Sequence, residues 1–247
     1  MPRYFLELAY DGTAYSGFQT QQNANSIQQE VEKAFKVLQR QPVVMTGSSR
    51  TDAGVHALQN YFHFDFDEKI HDQFVYKINA ILPPDIVVKS IFQVPDDMHC
   101  RFDALGREYK YYIYRQKNPF LRGRAYYFPY SLDLEKMGQA AQILTEYTDF
   151  TSFSKRNTQV KTFNCRISHS SWFTEGDCLV YRVVANRFLR GMVRALTATM
   201  LKVGRGKAGL DEFRTIIEAK DCTVASFAVP AHGLFLAGVH YSFPGGN

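Results

Sequence analysis

The sequence is poor in the residues that hold most metals and redox cofactors. Its four cysteines, Cys100, Cys165, Cys178 and Cys222, form no C-x-x-C pair and have no histidine at ligand spacing, so buried free thiols are expected in place of a zinc site. The seven histidines form no H-x-x-x-H pair, and no glycine-rich phosphate fingerprint follows a strand. Nothing in this composition calls for a metal, a nucleotide cofactor or a redox group. No run of about 18 apolar residues occurs, which excludes a spanning helix. After Met1-Pro2-Arg3 the chain enters an alternating segment, YFLELAY, with neither an apolar leader nor an arginine-rich presequence. Export is therefore not expected, and the cytoplasm is the expected compartment.

What the chain has is 247 residues, 45% of them hydrophobic, enough for one large domain or two small ones, and a charge that is unevenly spread. Residues 1–100 carry 8 Lys+Arg against 12 Asp+Glu, while residues 101–247 carry 21 against 12, so all of the net +5 comes from the second part. Three stretches hold the excess. Arg101 to Tyr126 has seven basic and two acidic residues, Lys155 to Arg166 has four and none, and Arg187 to Lys207 has six and none. Clusters of this kind, interleaved with tyrosine and phenylalanine, fit a polyanionic partner and favour RNA; solvated surface charge is the alternative reading.

Periodicity gives the order of elements. Tyr4 to Tyr10 alternates as a strand and stops at Asp11-Gly12. Ser26 and Gln29 make a capping box ahead of Ile27, Val31, Phe35 and Leu38, which recur at helical spacing. A short strand is expected at Val43–Met45, a longer one at Leu58 to Phe66, a helix within Asp72 to Leu82, and a strand at Ile86 to Val94. The pattern then begins again, with an aromatic strand at Arg107 to Tyr114, a helix at Leu134 to Leu144, and strands at Ser168 to Phe173 and Leu179 to Ala185. Asn186 to Val203 predicts a helix with Phe188, Leu189, Met192, Val193, Leu196, Met200 and Val203 on one side and Arg187, Arg190 and Arg194 opposite. A last helix at Leu210 to Ala219 precedes a final strand at Leu234 to Tyr241. Strands that return through turns as well as helices indicate an α+β fold with mainly antiparallel sheet. Two similar halves are expected, residues 1–103 and residues 104–247, the second bearing the basic patches.

Between the strands at Val43 and Leu58 lies GSSRTDAGVHA, residues 47–57. Asp52 followed by Ala53-Gly54 suits a turn in which the aspartate caps backbone N–H groups. It equally suits a carboxylate presented to a ligand, with Arg50 two residues away for an anionic substrate and glycines that let another backbone come close. Spacing does not choose between the two.

The stretch resembles the R-T-D-A-G-V-H signature of the TruA family of tRNA pseudouridine synthases. YDGTAYSGFQ, HCRFDALGREYKYYIY, DFTSF, ANRFLRGMVR and PAHGLFLAGVHY resemble further segments of that family, in its order and over nearly the whole chain. The resemblance implies two α/β halves whose sheets join into one around a basic active-site cleft, a homodimer, and tRNA as partner. It implies isomerisation of uridine to pseudouridine on the 3′ side of the anticodon loop and in the adjoining stem (tRNA positions 38–40), with no cofactor and no metal. On this resemblance Asp52 is the catalytic carboxylate, either adding to C1′ or withdrawing the C2′ proton, and Arg194 is the cation that keeps it ionised. Tyr109 is expected to stack on the target base and assist removal of the C5 proton, or to be simply a core tyrosine of an aromatic strand. Arg50 is expected to fill the space of a flipped nucleotide or to hold a phosphate, and Leu234 to line the uracil pocket or simply the core.

The chain departs from the family in two places. Ser49 stands where glycine is frequent, a change that is tolerated if φ there is negative, and Ala195-Leu196-Thr197-Ala198 replaces the usual N-I-V-G after Arg194. A non-catalytic RNA-binding protein of the same fold is the runner-up reading. A small-molecule glycosidase fits less well, because hydrolysis ordinarily uses two carboxylates.

Overall fold

The computed structural model describes all residues except 157, 159 and 244–247. Asn157 and Gln159 of the second basic stretch thus lie outside the described residues. The chain forms two compact units, residues 1–105 together with the chain from 235 on, and residues 106–234. The fold is mixed α+β with mostly antiparallel strands.

In the first unit β1 (Arg3–Tyr10) lies between β3 (His56–Asp65) and β4 (Ile86–Val94), antiparallel to both. A two-residue strand, β2 (Thr46–Gly47), pairs with β3, and the last strand, β9 (Leu234–His240), runs parallel to β3 through His56↔Phe235 and Ala57↔Leu236. The first helix, α1 (Ile27–Gln39), starts where the capping box places it: the Ser26 hydroxyl accepts the Gln29 N–H at 3.3 Å. Its buried Phe35 meets Phe64 at 5.1 Å, Phe66 at 5.2 Å and Phe74 at 5.5 Å between ring centroids, so one aromatic cluster joins α1, β3 and α2 (Phe74–Ile81). Asn79 of α2 latches β4 from its side chain, donating to the Val88 carbonyl and accepting the Val88 N–H, each at 2.8 Å.

The second unit holds an antiparallel sheet in the order β5 (Gly106–Tyr114), β8 (Cys178–Ala185), β7 (Ile167–Glu175), with β6 (Tyr126–Tyr127) parallel to the end of β5. Three helices, α3 (Leu134–Ile143), α4 (Met192–Gly204) and α5 (Leu210–Glu218), complete it.

Two expectations change here. The strand expected at Val43–Met45 is displaced to Thr46–Gly47. The Met45 N–H bonds to the Glu32 carboxylate at 3.0 Å and its carbonyl accepts from Gln28 at 2.8 Å, so side chains of α1 take up the backbone groups a sheet would have used. The helix expected from Asn186 begins only at Met192, after Gly191 at φ 76°, a left-handed conformation that favours glycine. Arg187 and Arg190 therefore sit in the lead-in and share no helical face with Arg194. Nor is α4 one-sided. Only Arg194 and Lys202 among its thirteen residues escape burial, and Thr197 and Thr199 are accommodated by donating to the carbonyls of Val193 and Ala195, both at 2.8 Å. A window of buried alanines and threonines reads as amphipathic only while its surroundings are unknown.

Candidate functional site

The Asp52 loop is tied down from three sides. Asn60 of β3, fully buried, donates to the Ser49 carbonyl at 2.8 Å and to the Tyr10 hydroxyl at 3.3 Å, while its side-chain oxygen accepts the Tyr61 N–H at 2.9 Å. Tyr10 in turn meets the Thr51 hydroxyl at 2.8 Å, and the Thr51 carbonyl accepts the Phe18 N–H at 3.1 Å. On the other flank Gly12 donates to His56 Nδ1 at 3.1 Å, and a Cβ at Gly12 would run into the Val55 carbonyl. The polar loop after β1 is thus fitted against the motif with no space between their backbones. His56 lies buried, stacked on Phe235 at 4.5 Å.

Inside this frame the Asp52 carbonyl accepts the Val55 N–H at 3.1 Å, and Gly54 takes φ 73°, so Asp52-Ala53-Gly54-Val55 is a tight turn. Arg50 is exposed, Thr51 is buried and Asp52 is half-buried. The framework buries the flanking residue and leaves the carboxylate at the boundary with solvent. Ser49 is absent from the described non-glycine residues with positive φ, as its replacement of glycine requires; its buried hydroxyl has no hydrogen-bond partner among the described residues.

Tyr109, Arg194 and Leu234 belong to the second unit. Tyr109 is nine-tenths buried on β5, pairs with Val183 of β8, and meets Phe188 edge-on at 5.0 Å. Arg194, half-buried in the first turn of α4, donates through Nε and Nη2 to the Val229 carbonyl at 3.0 and 2.7 Å. The next carbonyl, that of Pro230, accepts from the Tyr111 hydroxyl at 2.7 Å, and burial holds that phenol far above its ordinary pKa, fixing it as a donor. Gly233 lies against the same ring: a Cβ there would come within 2.7 Å of Tyr111 Cζ. The 229–233 segment that aims Arg194 is therefore itself clamped by Tyr111. Leu234, buried, follows directly as the first residue of β9. Arg194 also borders a cavity of about 750 Å³ whose walls include Arg122, Tyr126, Phe227 and His232.

Sequence reasoning passed over Asn60, Tyr10, His56 and Tyr111. A signal existed for Asn60, a lone amide inside an alternating apolar strand that has to find partners if buried. It passed over one histidine–cysteine group as well. Cys100 Sγ lies 3.1 Å from His63 Nδ1, and His99 packs edge-on against His63 at 4.5 Å. Three of the possible ligand atoms are already engaged. The Cys100 thiol donates to the Thr46 carbonyl at 3.1 Å, His63 Nδ1 accepts the Cys100 N–H at 3.3 Å, and His99 Nδ1 accepts the Arg101 N–H at 3.1 Å. Burial, reinforced by His99 and Arg3, pushes His63 down to about 4, so its ring is neutral near pH 7. The group plugs the root of β2, immediately before the Asp52 loop.

Comparison with known proteins adds independent findings. A family model described as tRNA pseudouridine synthase matches residues 8–103 and 140–242. A tRNA pseudouridine synthase A from Parabacteroides distasonis is 48% identical over 243 residues, covering 98% of this chain and 96% of that protein. One from Bacteroides thetaiotaomicron is 47% identical over 98% of this chain and 91% of its own length. One from Staphylococcus aureus is 39% identical over 96% and 91% respectively.

Proposed function

The chain belongs to the TruA family of tRNA pseudouridine synthases and is an isomerase of that kind, and from this premise we propose that Asp52 is the residue that reacts. The observation that carries the proposal is the loop itself. Asn60, Tyr10 and Gly12 fix its backbone, so that a single half-buried carboxylate is held still at its turn. In the isomerisation the N1–C1′ bond of uridine breaks, the uracil turns, C5 bonds to C1′, and the C5 proton is exchanged for one at N1. An ionised carboxylate serves either by adding to C1′ or by removing the C2′ proton, and both require it to be positioned before the substrate arrives.

Arg194 supplies the positive charge beside that carboxylate, Tyr109 stacks on the base, Arg50 either replaces the flipped nucleotide or binds a phosphate, and Leu234 lines the uracil pocket. A uridine in a helical stem has to leave its stack before any of these groups reaches it. The substrate uridines lie in the anticodon stem-loop of tRNA, the protein works in the cytoplasm as a homodimer, and the basic stretches from residue 101 onward hold the RNA backbone. Two features support this part of the reading: the charge surplus from residue 101 onward, and the curated relatives named for tRNA. Among the described residues no helix is long and apolar enough to cross a membrane.

Asp52→Ala is expected to abolish pseudouridine formation in bulk tRNA while leaving tRNA binding in place. Modification at the normal rate by that variant would remove Asp52 from the chemistry. A wild type that binds tRNA without ever modifying it would favour the RNA-binding alternative.

A further inference from the structure

The cavity beside Arg194 has a wall to which the roles proposed above assign nothing. We propose that this wall, built from Arg122, Tyr126 and Tyr127, seats a nucleotide adjoining the reacting uridine, with an aromatic ring against its base and the Arg122 guanidinium on its phosphate. The proposal rests on tRNA being the substrate.

Three observations carry it. At about 750 Å³ the cavity falls within the range of small-ligand sites. Its walls bring two guanidinium groups, of Arg122 and Arg194, with no carboxylate among the lining residues, so its field favours an anion. It is also lined by Tyr114, Tyr126, Tyr127 and Phe227, and rings beside guanidinium groups are the means by which proteins grip unstacked nucleotides.

The wall is preformed. β6 runs parallel to β5, pairing Tyr126 with Ile113 and Tyr127 with Tyr114. Tyr127 leans on Tyr114 at 5.3 Å and Tyr126 on Phe128 at 5.4 Å. Tyr114 and Ala125 are packed with Cys178 and Val180 in a small apolar cluster that forms the floor. Arg122 is held at the rim by the turn that follows it, where the Arg124 and Ala125 N–H groups both donate to the Leu121 carbonyl at 3.0 Å and Gly123 takes φ 78°. Arg122 itself is exposed and forms no ion pair among the described residues, so its charge is available to a ligand.

The test titrates uridine 5′-monophosphate, uridine and inorganic phosphate into the full chain, followed by nuclear magnetic resonance, alongside kinetics on bulk tRNA. Uridine monophosphate should bind more tightly than uridine or phosphate alone. Arg122→Ala and Tyr126→Leu should each weaken it about tenfold and raise KM for tRNA at least fivefold, with kcat within about threefold. Binding that is indifferent to both substitutions, phosphate binding as tight as the nucleotide's, or an unchanged KM would each overturn the proposal. Because Asp52→Ala leaves this cavity intact, it should bind the nucleotide as wild type does. A chain that seats the nucleotide yet never modifies tRNA would refute the catalytic reading and leave the seat standing.

Discussion

Asn60→Ala is the substitution that best separates holding the catalytic loop from building the fold around it. The Asn60 amide gives two hydrogen bonds, to the Ser49 carbonyl at 2.8 Å and the Tyr10 hydroxyl at 3.3 Å, and no water reaches it. Each bond contributes about 1 kcal/mol net, and the Ser49 carbonyl left without its donor costs about 1–2 kcal/mol more. The expected loss is about 3 kcal/mol, on the order of 100-fold in the folding equilibrium at 1.4 kcal/mol per decade. The same bonds fix the backbone one residue before Arg50, so the carboxylate of Asp52 should also lose its position, and a misplacement of about 1 Å lowers a rate by about 100-fold. Urea unfolding followed by tryptophan and tyrosine fluorescence measures the first effect, and single-turnover pseudouridine formation measures the second. Affinity for tRNA should change by less than about threefold. Asn60→Asp keeps the shape and the acceptor for the Tyr61 N–H but removes the donor, and should show the same kinetic defect. If both variants unfold at the wild-type urea concentration and turn over normally, the loop is held by something other than this amide.

Three further outcomes follow from the same geometry. Gly12→Ala forces a methyl group into the Val55 carbonyl, a backbone atom that has no rotamer to escape through, and should destabilise by about 3 kcal/mol in urea unfolding; wild-type stability would show that the two loops are not in contact. Arg194→Lys replaces a fork that grips the Val229 carbonyl through two nitrogens with a single ammonium, so kcat should fall at least tenfold with tRNA affinity nearly unchanged, and an unaltered kcat would detach Arg194 from the chemistry. The Asp65 carboxyl is held below its usual range chiefly by hydrogen bonds from the Arg3 guanidinium at 2.7 and 2.8 Å. Its unfolded value is about 3.9, so its contribution is complete above about pH 4 and is lost as the pH falls from there towards the folded value. Asp65→Asn should therefore lower stability at pH 7 and flatten the acid limb of the stability curve, and parallel curves for the two proteins would contradict the assignment.

Much of the fold is legible in the chain because its causes are local. Ser26 and Gln29 mark the first turn of α1 without help from the rest of the molecule, Ile86 to Val94 forms the strand its alternation announces, and Asp52-Ala53-Gly54 folds as the turn its residues demand. The motif, and with it the family, lies in consecutive residues. Errors arise where a partner arrives from far along the chain. Val43–Met45 has the composition of a strand, but α1 reaches its backbone first. The arginines before Gly191 carry helical spacing, yet the glycine turns the chain, and α4 is enclosed all round where a one-sided helix is expected.

Which residues the protein presents is written into the chain, because a turn at Asp52 and a run of basic residues are properties of neighbours. What holds them in place comes from long-range packing. Asn60 finds Ser49 and Tyr10, Tyr111 finds Pro230, and Tyr114, Arg122, Arg194 and Phe227 close on one cavity, each across separations that no local periodicity encodes. A buried polar group reveals that it needs a partner, but its identity depends on which strands come to lie side by side, and that is settled by the packing of the whole unit.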